Sequence, residues 1–160
     1  MAITNHERVG KALELLNAGL CPFVERELKS VHGDRWEQVA REGQREERGG
    51  KKNSKLHWDT QTLLGVMWNQ WNTVFNRTLG NAERSLVSEL RDVRNKWAHQ
   101  ESFSSDDSYR AIDSVGRLLS AVSAEEAAEK KTVKRARTSR KKAEPEAEAA
   151  AEGEAEAAPK

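Results

Sequence analysis

A single cysteine among 160 residues rules out an internal disulfide, and no C-x-x-C pair is present to hold zinc. No apolar run approaches the ~20 residues needed to cross a bilayer. The opening stretch, MAITNHERVGKALELL, lacks the basic-then-apolar layout and small-residue cleavage site of a secretory signal. Period-two alternation of useful length is missing throughout, which removes strand-based folds. Charge of one sign is also missing overall: 27 basic and 26 acidic side chains leave a formal net charge of +1. These absences point to a reducing, cytoplasmic setting, no membrane, no cofactor and no metal cage.

The charge balance hides an uneven layout. Residues 125–160 carry nine side chains of each sign, and Val133 is their only large apolar residue. Lys130 to Lys142 is purely basic, and 143–159 is acidic among Ala, Gly and Pro. Such a segment cannot bury enough surface to offset chain entropy. The expected organisation is a folded domain over 1–124 and a disordered, basic-then-acidic tail over 125–160.

The domain reads as helical. Thr4 and Glu7 form a capping-box pair ahead of an apolar stripe at Val9, Ala12, Leu13 and Leu16. Gly19 suits the end of that helix and Pro22 the first turn of a second, with Val24, Leu28 and Val31 as its buried face and Gly33 as its end. Trp36, Val39 and Ala40 fit a further short helical turn. Residues 41–57 read as a polar loop, with basic side chains at Arg41, Arg45, Arg48, Lys51, Lys52 and Lys55. Asp59 caps a long helix whose stripe is Leu64, Trp68, Trp71 and Phe75; a packed core suits it better than a cofactor box. Asn81 caps the next, with Leu86, Leu90, Val93 and Trp97 within ~40° of one another on a helical wheel. Ser104 or Ser105, followed by Asp106 and Asp107, starts a last helix striped by Ile112, Val115, Leu119 and Val122. The fold class expected is an all-α bundle of four to five long helices.

The segment with chemical content is Arg91-Asp92-Val93-Arg94-Asn95-Lys96-Trp97-Ala98-His99. Arg94 offers a planar fork of donors that suits phosphate oxygens, and an imidazole such as that of His99 can give or take a proton. RNA carries its own nucleophile, the 2′-hydroxyl, so such a pair can cut it without a metal. In one unbroken helix, however, His99 sits ~140° around from Arg94. Either the helix ends near Trp97 and leaves His99 in a terminal turn, or a twofold partner brings a second Arg and His to the same cleft. The bland alternative is Arg94 paired with an acid and His99 capping a helix end.

Arg94-Asn95-Lys96-Trp97-Ala98-His99 resembles the motif of the HEPN superfamily, an all-α nucleotide-binding domain of higher eukaryotes and prokaryotes. With Phe103-Ser104 and Tyr109-Arg110-Ala111-Ile112-Asp113 behind it, the pattern is similar to the Swt-type branch over roughly residues 5–122. The resemblance implies a bundle that dimerises with the motif at the interface and a metal-independent endoribonuclease in an RNA-processing or defence setting. By the same resemblance Arg94 holds the scissile phosphate, His99 acts as acid or base, and Asn95 orients one of them. Lys96 and Arg91 are further phosphate contacts, and Lys134, Arg135, Arg137 and Arg140 of the tail add charge. Other members of the superfamily are inactive and serve as RNA-binding or docking modules, so the alternative function is a non-catalytic interaction, dimerisation or RNA-binding module that docks a larger ATPase or helicase. Toxins of the superfamily silenced by adenylylation carry Tyr two residues after the motif His; Glu101 stands there in this sequence, so a nucleotidyltransferase partner is not implied. His6, His32 and His57 have no partner at helical spacing and fit surface or capping roles, and Cys21 fits a buried inert thiol.

Overall fold

The computed structural model of the chain describes residues 2–48 and 56–123. These residues belong to one unit, Met1–Ser123. They form an all-α bundle of five helices, with no strand among them: α1 (Asn5–His32), α2 (Trp36–Arg48), α3 (Thr60–Asn69), α4 (Asn81–Ala98) and α5 (105–123). The tail expected over 125–160 lies outside the described residues, as do Lys51, Lys52 and Lys55.

The α1 cap is the one the sequence spells. The Glu7 N–H donates to Thr4 Oγ1 at 3.2 Å and the Thr4 N–H to Glu7 Oε2 at 2.8 Å. The Thr4 N–H, and after it the Thr4 hydroxyl at 3.1 Å, hold the Glu7 carboxyl below its usual range. The expected break at Gly19 and Pro22 does not occur: α1 is one helix of 28 residues with Pro22 inside it. Two physical terms overrule the local signals. A Cβ on Gly19 would lie 2.4 Å from Leu119 Cδ2, so Gly19 is a packing glycine against α5 and not a cap. Proline costs ~3 kcal/mol inside a helix, but Leu20, Phe23, Val24 and Leu28 around it are fully buried, each worth ~1.5–3 kcal/mol. Gly33, with φ +56°, does end the helix.

The reading of 41–57 as a loop is corrected in its first half, since α2 continues to Arg48. The contacts that hold it are small or polar: Ala40 and Gln44 are buried, and Gly43 lies against Val66 of α3. A count of large aliphatics misses such a face. The third helix is shorter than the aromatic stripe suggested, ending at Asn69. Asn72, Thr73 and Val74 are poor helix formers, and the chain tightens into turns and a 3₁₀ segment at Phe75–Arg77. The stripe still reaches the core, with Trp71, Val74 and Phe75 buried. Asp59 caps α3 as read, accepting from the Thr62 N–H at 2.9 Å. Because α3 packs against α1, α2 and α4 together, Leu63, Leu64, Val66 and Met67 are all buried.

At α4 the cap falls one residue earlier than expected: the Gly80 N–H donates to Glu83 Oε2 at 2.8 Å, and Asn81 is already helical. At α5 the Ser104 and Asp107 signal is realised as a reciprocal cap. Its stripe is rotated from the one expected. Val115 and Val122 are buried, but Ala111 and Leu118 complete the core face, Leu119 is half-buried and Ile112 is 42% exposed. Glu89 of α4 helps fix this rotation by accepting from Arg110 Nε (2.8 Å) and Ser114 Oγ (3.2 Å).

Candidate functional site

The segment singled out by sequence forms the last two turns of α4 and the bend that follows. Leu90 anchors it in the core, with Val93 and Trp97 packed against that core while partly exposed. The helix ends at Ala98, so His99 stands in the terminal turn as the capping residue, with φ −85° and ψ 9°. Its N–H still donates to the Asn95 carbonyl at 3.0 Å. The Gln100 N–H then donates to Trp97 O and the Glu101 N–H to Lys96 O, both at 3.1 Å. These two bonds are a Schellman closure, which needs a left-handed residue at its centre. Gln100 fills that place with φ +59°, where glycine is usual, so the bend next to His99 carries backbone strain.

Arg94 and Asn95 come together. With Gln61 and Leu64 of α3 and with Arg91, they line a recess of about 20 Å³, room for about one water. Arg94 is half-buried and Asn95 exposed. His99 is exposed and does not line that recess. Its amide keeps the helical bond to Asn95, so its Cβ leaves the helix ~20° from the direction of Asp92 and ~40° from that of Asn95, with Arg91 ~80° and Arg94 ~140° away. Within one subunit, then, neither arginine shares a face with His99. Arg91 is half-buried with its guanidinium 5.6 Å from the Trp68 ring centre, and Arg84 stacks on the same ring at 5.0 Å.

Lys96 faces the other way. It lines a groove of about 220 Å³ between α4 and α5, together with Glu89, Asp92, Phe103 and Arg110. Its ammonium lies 3.6 Å from Asp107 and 5.0 Å from the Phe103 ring centre. The Asp107 carboxyl is held below its ordinary range, chiefly by the Ser104 hydroxyl and N–H, then by Lys96. Lys134, Arg135, Arg137 and Arg140 lie outside the described residues.

Sequence reasoning missed the residues that hold the bend. His6 of α1 is half-buried, and its Nε2 donates to the Trp97 carbonyl at 3.0 Å. Asn5 Nδ2 donates to the Phe103 carbonyl at 3.1 Å. Gly10, one turn on, leaves space for the Trp97 indole: a Cβ there would lie 2.9 Å from Trp97 Nε1. A glycine in the middle of an amphipathic helix is the one sequence sign of such an approach. His32 contacts Gln70 Oε1 at 3.2 Å, and Cys21 is half-buried, its thiol pushed up by burial. Among the described residues no three metal-ligating side chains converge, and no helix is long and apolar enough to cross a membrane.

A family model described as Swt1-like HEPN matches residues 11–123, which include the whole of α4, the bend and α5 as described. No curated protein and no solved structure matches the chain.

Proposed function

The chain belongs to the Swt1-like HEPN family, and we propose that it is an RNA-acting domain that cleaves RNA without a metal ion, at a site shared by two copies. One observation carries this reading: His99 is exposed in a terminal turn, while Arg94 lies five residues back on another face of the same helix. A twofold axis beside the end of α4 sets the His99 of each copy near the Arg94 of the other. The chemistry balances with these groups alone. One imidazole takes the proton of the 2′-hydroxyl as its oxygen attacks phosphorus. The bond from phosphorus to the 5′-oxygen breaks, the second imidazole protonates that oxygen, and a 2′,3′-cyclic phosphate is left. Arg94 stabilises the charge on the phosphoryl oxygens, and Asn95 orients it. Arg91, Lys96, and Lys134, Arg135, Arg137 and Arg140 beyond the 1–124 domain add backbone contacts. The setting we infer is cytoplasmic, in RNA processing or defence.

The test is cleavage of total RNA in the presence of chelator, with the mass in solution measured in parallel. A dimer that cuts, and a His99→Ala dimer that does not, are expected. Cleavage that requires magnesium, or that survives His99→Ala, ends the reading. The tight recess beside Arg94 favours a second reading, since a phosphate enters it only if side chains move. In that case the domain is a non-catalytic docking module for a larger ATPase or helicase. It then cuts no RNA and is recovered in a stable complex with such a partner.

A further inference from the structure

We propose that His6 is a positioning residue for His99, acting through the Trp97 carbonyl; the inference rests on the reading of His99 as the acid–base group. The Trp97 oxygen accepts from the Gln100 N–H at 3.1 Å and from His6 Nε2 at 3.0 Å, so both of its lone pairs are used. A carbonyl can only accept, which fixes the His6 proton on Nε2. The His6 ring also stacks on Trp97, with centres 5.5 Å apart and planes 14° apart, and meets Phe103 at 6.2 Å. Asn5, its neighbour, binds the Phe103 carbonyl. Two consecutive residues of the first turn of α1 therefore grip both ends of the stretch 97–103, and His99 lies between the grips.

That stretch needs holding. Gln100 sits in the left-handed region, a conformation that costs a non-glycine residue free energy and persists only where its surroundings impose it. The bond from His6 is one of the few long-range restraints on the bend, since the others there are bonds of the helix end to itself. Displacement of an acid–base group by about 1 Å can cost ~100-fold in rate. His6 thus sets the place of the imidazole without touching substrate, so its loss lowers kcat and leaves KM near its original value.

Two variants of the full chain separate the ring from the donor. His6→Phe keeps the stack on Trp97 and removes the N–H; His6→Gln keeps an amide N–H at a similar reach and removes the ring. Amide hydrogen exchange at Gln100 and Glu101 should rise about five- to tenfold in His6→Phe, with Leu90 unchanged, and stay near the parent value in His6→Gln. On RNA, kcat should fall at least about tenfold in His6→Phe and recover in His6→Gln. Unchanged exchange at Gln100 and Glu101, an equal rise at Leu90, or parent-like cleavage by His6→Phe overturns the proposal. If the parent chain cuts no RNA, the cleavage reading fails by itself and the exchange comparison alone decides whether His6 holds the bend.

Discussion

Cations lie along two flanks of helix α4, some on α4 and one on α5, and the flanks hold them differently. Toward α5, carboxylates do the holding: Arg110 is bound by Glu89 at 2.8 Å and Lys96 lies 3.6 Å from Asp107, around an open groove of about 220 Å³. Toward α3, Arg84 and Arg91 stack on the indole of Trp68, with their guanidinium centres 5.0 and 5.6 Å from the ring centre. An ion pair holds a cation through its opposite charge, whereas an indole face also holds a guanidinium by its ring, whatever else that group binds. On the α5 flank the charge pairs fix one helix against another, and on the α3 flank the Trp68 ring orients two guanidinium groups. Arg94 and Asn95 belong to the second flank.

The sharpest way to break that contrast is to remove one cation from each side. Arg94→Ala should lower RNA cleavage at least about 100-fold, and Arg110→Ala by less than about fivefold, both measured as initial rates on one RNA. Equal losses would erase the functional difference between the flanks. Stability supplies the next comparison. Trp68→Leu should cost about 2–3 kcal/mol in urea unfolding, from lost burial and two lost cation–ring contacts. Glu89→Ala should cost about 1 kcal/mol, because its partner Arg110 is largely exposed. The reverse order would mean that the ion pairs, and not the indole, organise α4.

Acid should separate the flanks with the smallest effect. The folded-state pKa of Asp107 is lowered, so its contribution is complete above the ordinary aspartate value near 3.8 and is lost as pH falls below that, through the folded value. The start of α5 should loosen first on acidification, seen as faster amide exchange at Asp107 and Ser108. The amides of α3 at Val66 and Met67, buried in the core and past the first turn that Asp59 caps, should hold in the same titration. Simultaneous loss in both places would show that acid acts on the fold as a whole.

The parts of the fold that a reader of the sequence can find are those settled within a few residues. Thr4 with Glu7, Asp59 with Thr62, and Ser104 with Asp107 are caps whose partners lie three positions away. The apolar repeats of α3 and α4 likewise place their own residues against the core. What stays hidden depends on contacts across the chain. Gly19 and Pro22 look like punctuation until Leu119 and the buried residues beside them are known. The second half of helix α2 is held by Gly43 and Gln44, which carry no hydrophobic signal, and Glu89 helps set the rotation of α5. At the candidate site the Arg94, Asn95 and His99 pattern is legible in the sequence, and a terminal turn for His99 is one of the two arrangements that the sequence allows. The grip of His6 on Trp97 spans 91 positions and leaves no local trace.

The close fit of Leu119 over Gly19 works like a detent. The residues one turn to either side on α1 are Leu15 and Phe23, so a slide of α5 by one helical pitch, ~5.4 Å, would set a leucine on a bulky side chain in either direction. The two helices can therefore rest in one lengthwise position only. Because the bend bearing His99 leads directly into α5, its span is set at a distance by a missing methyl group on α1.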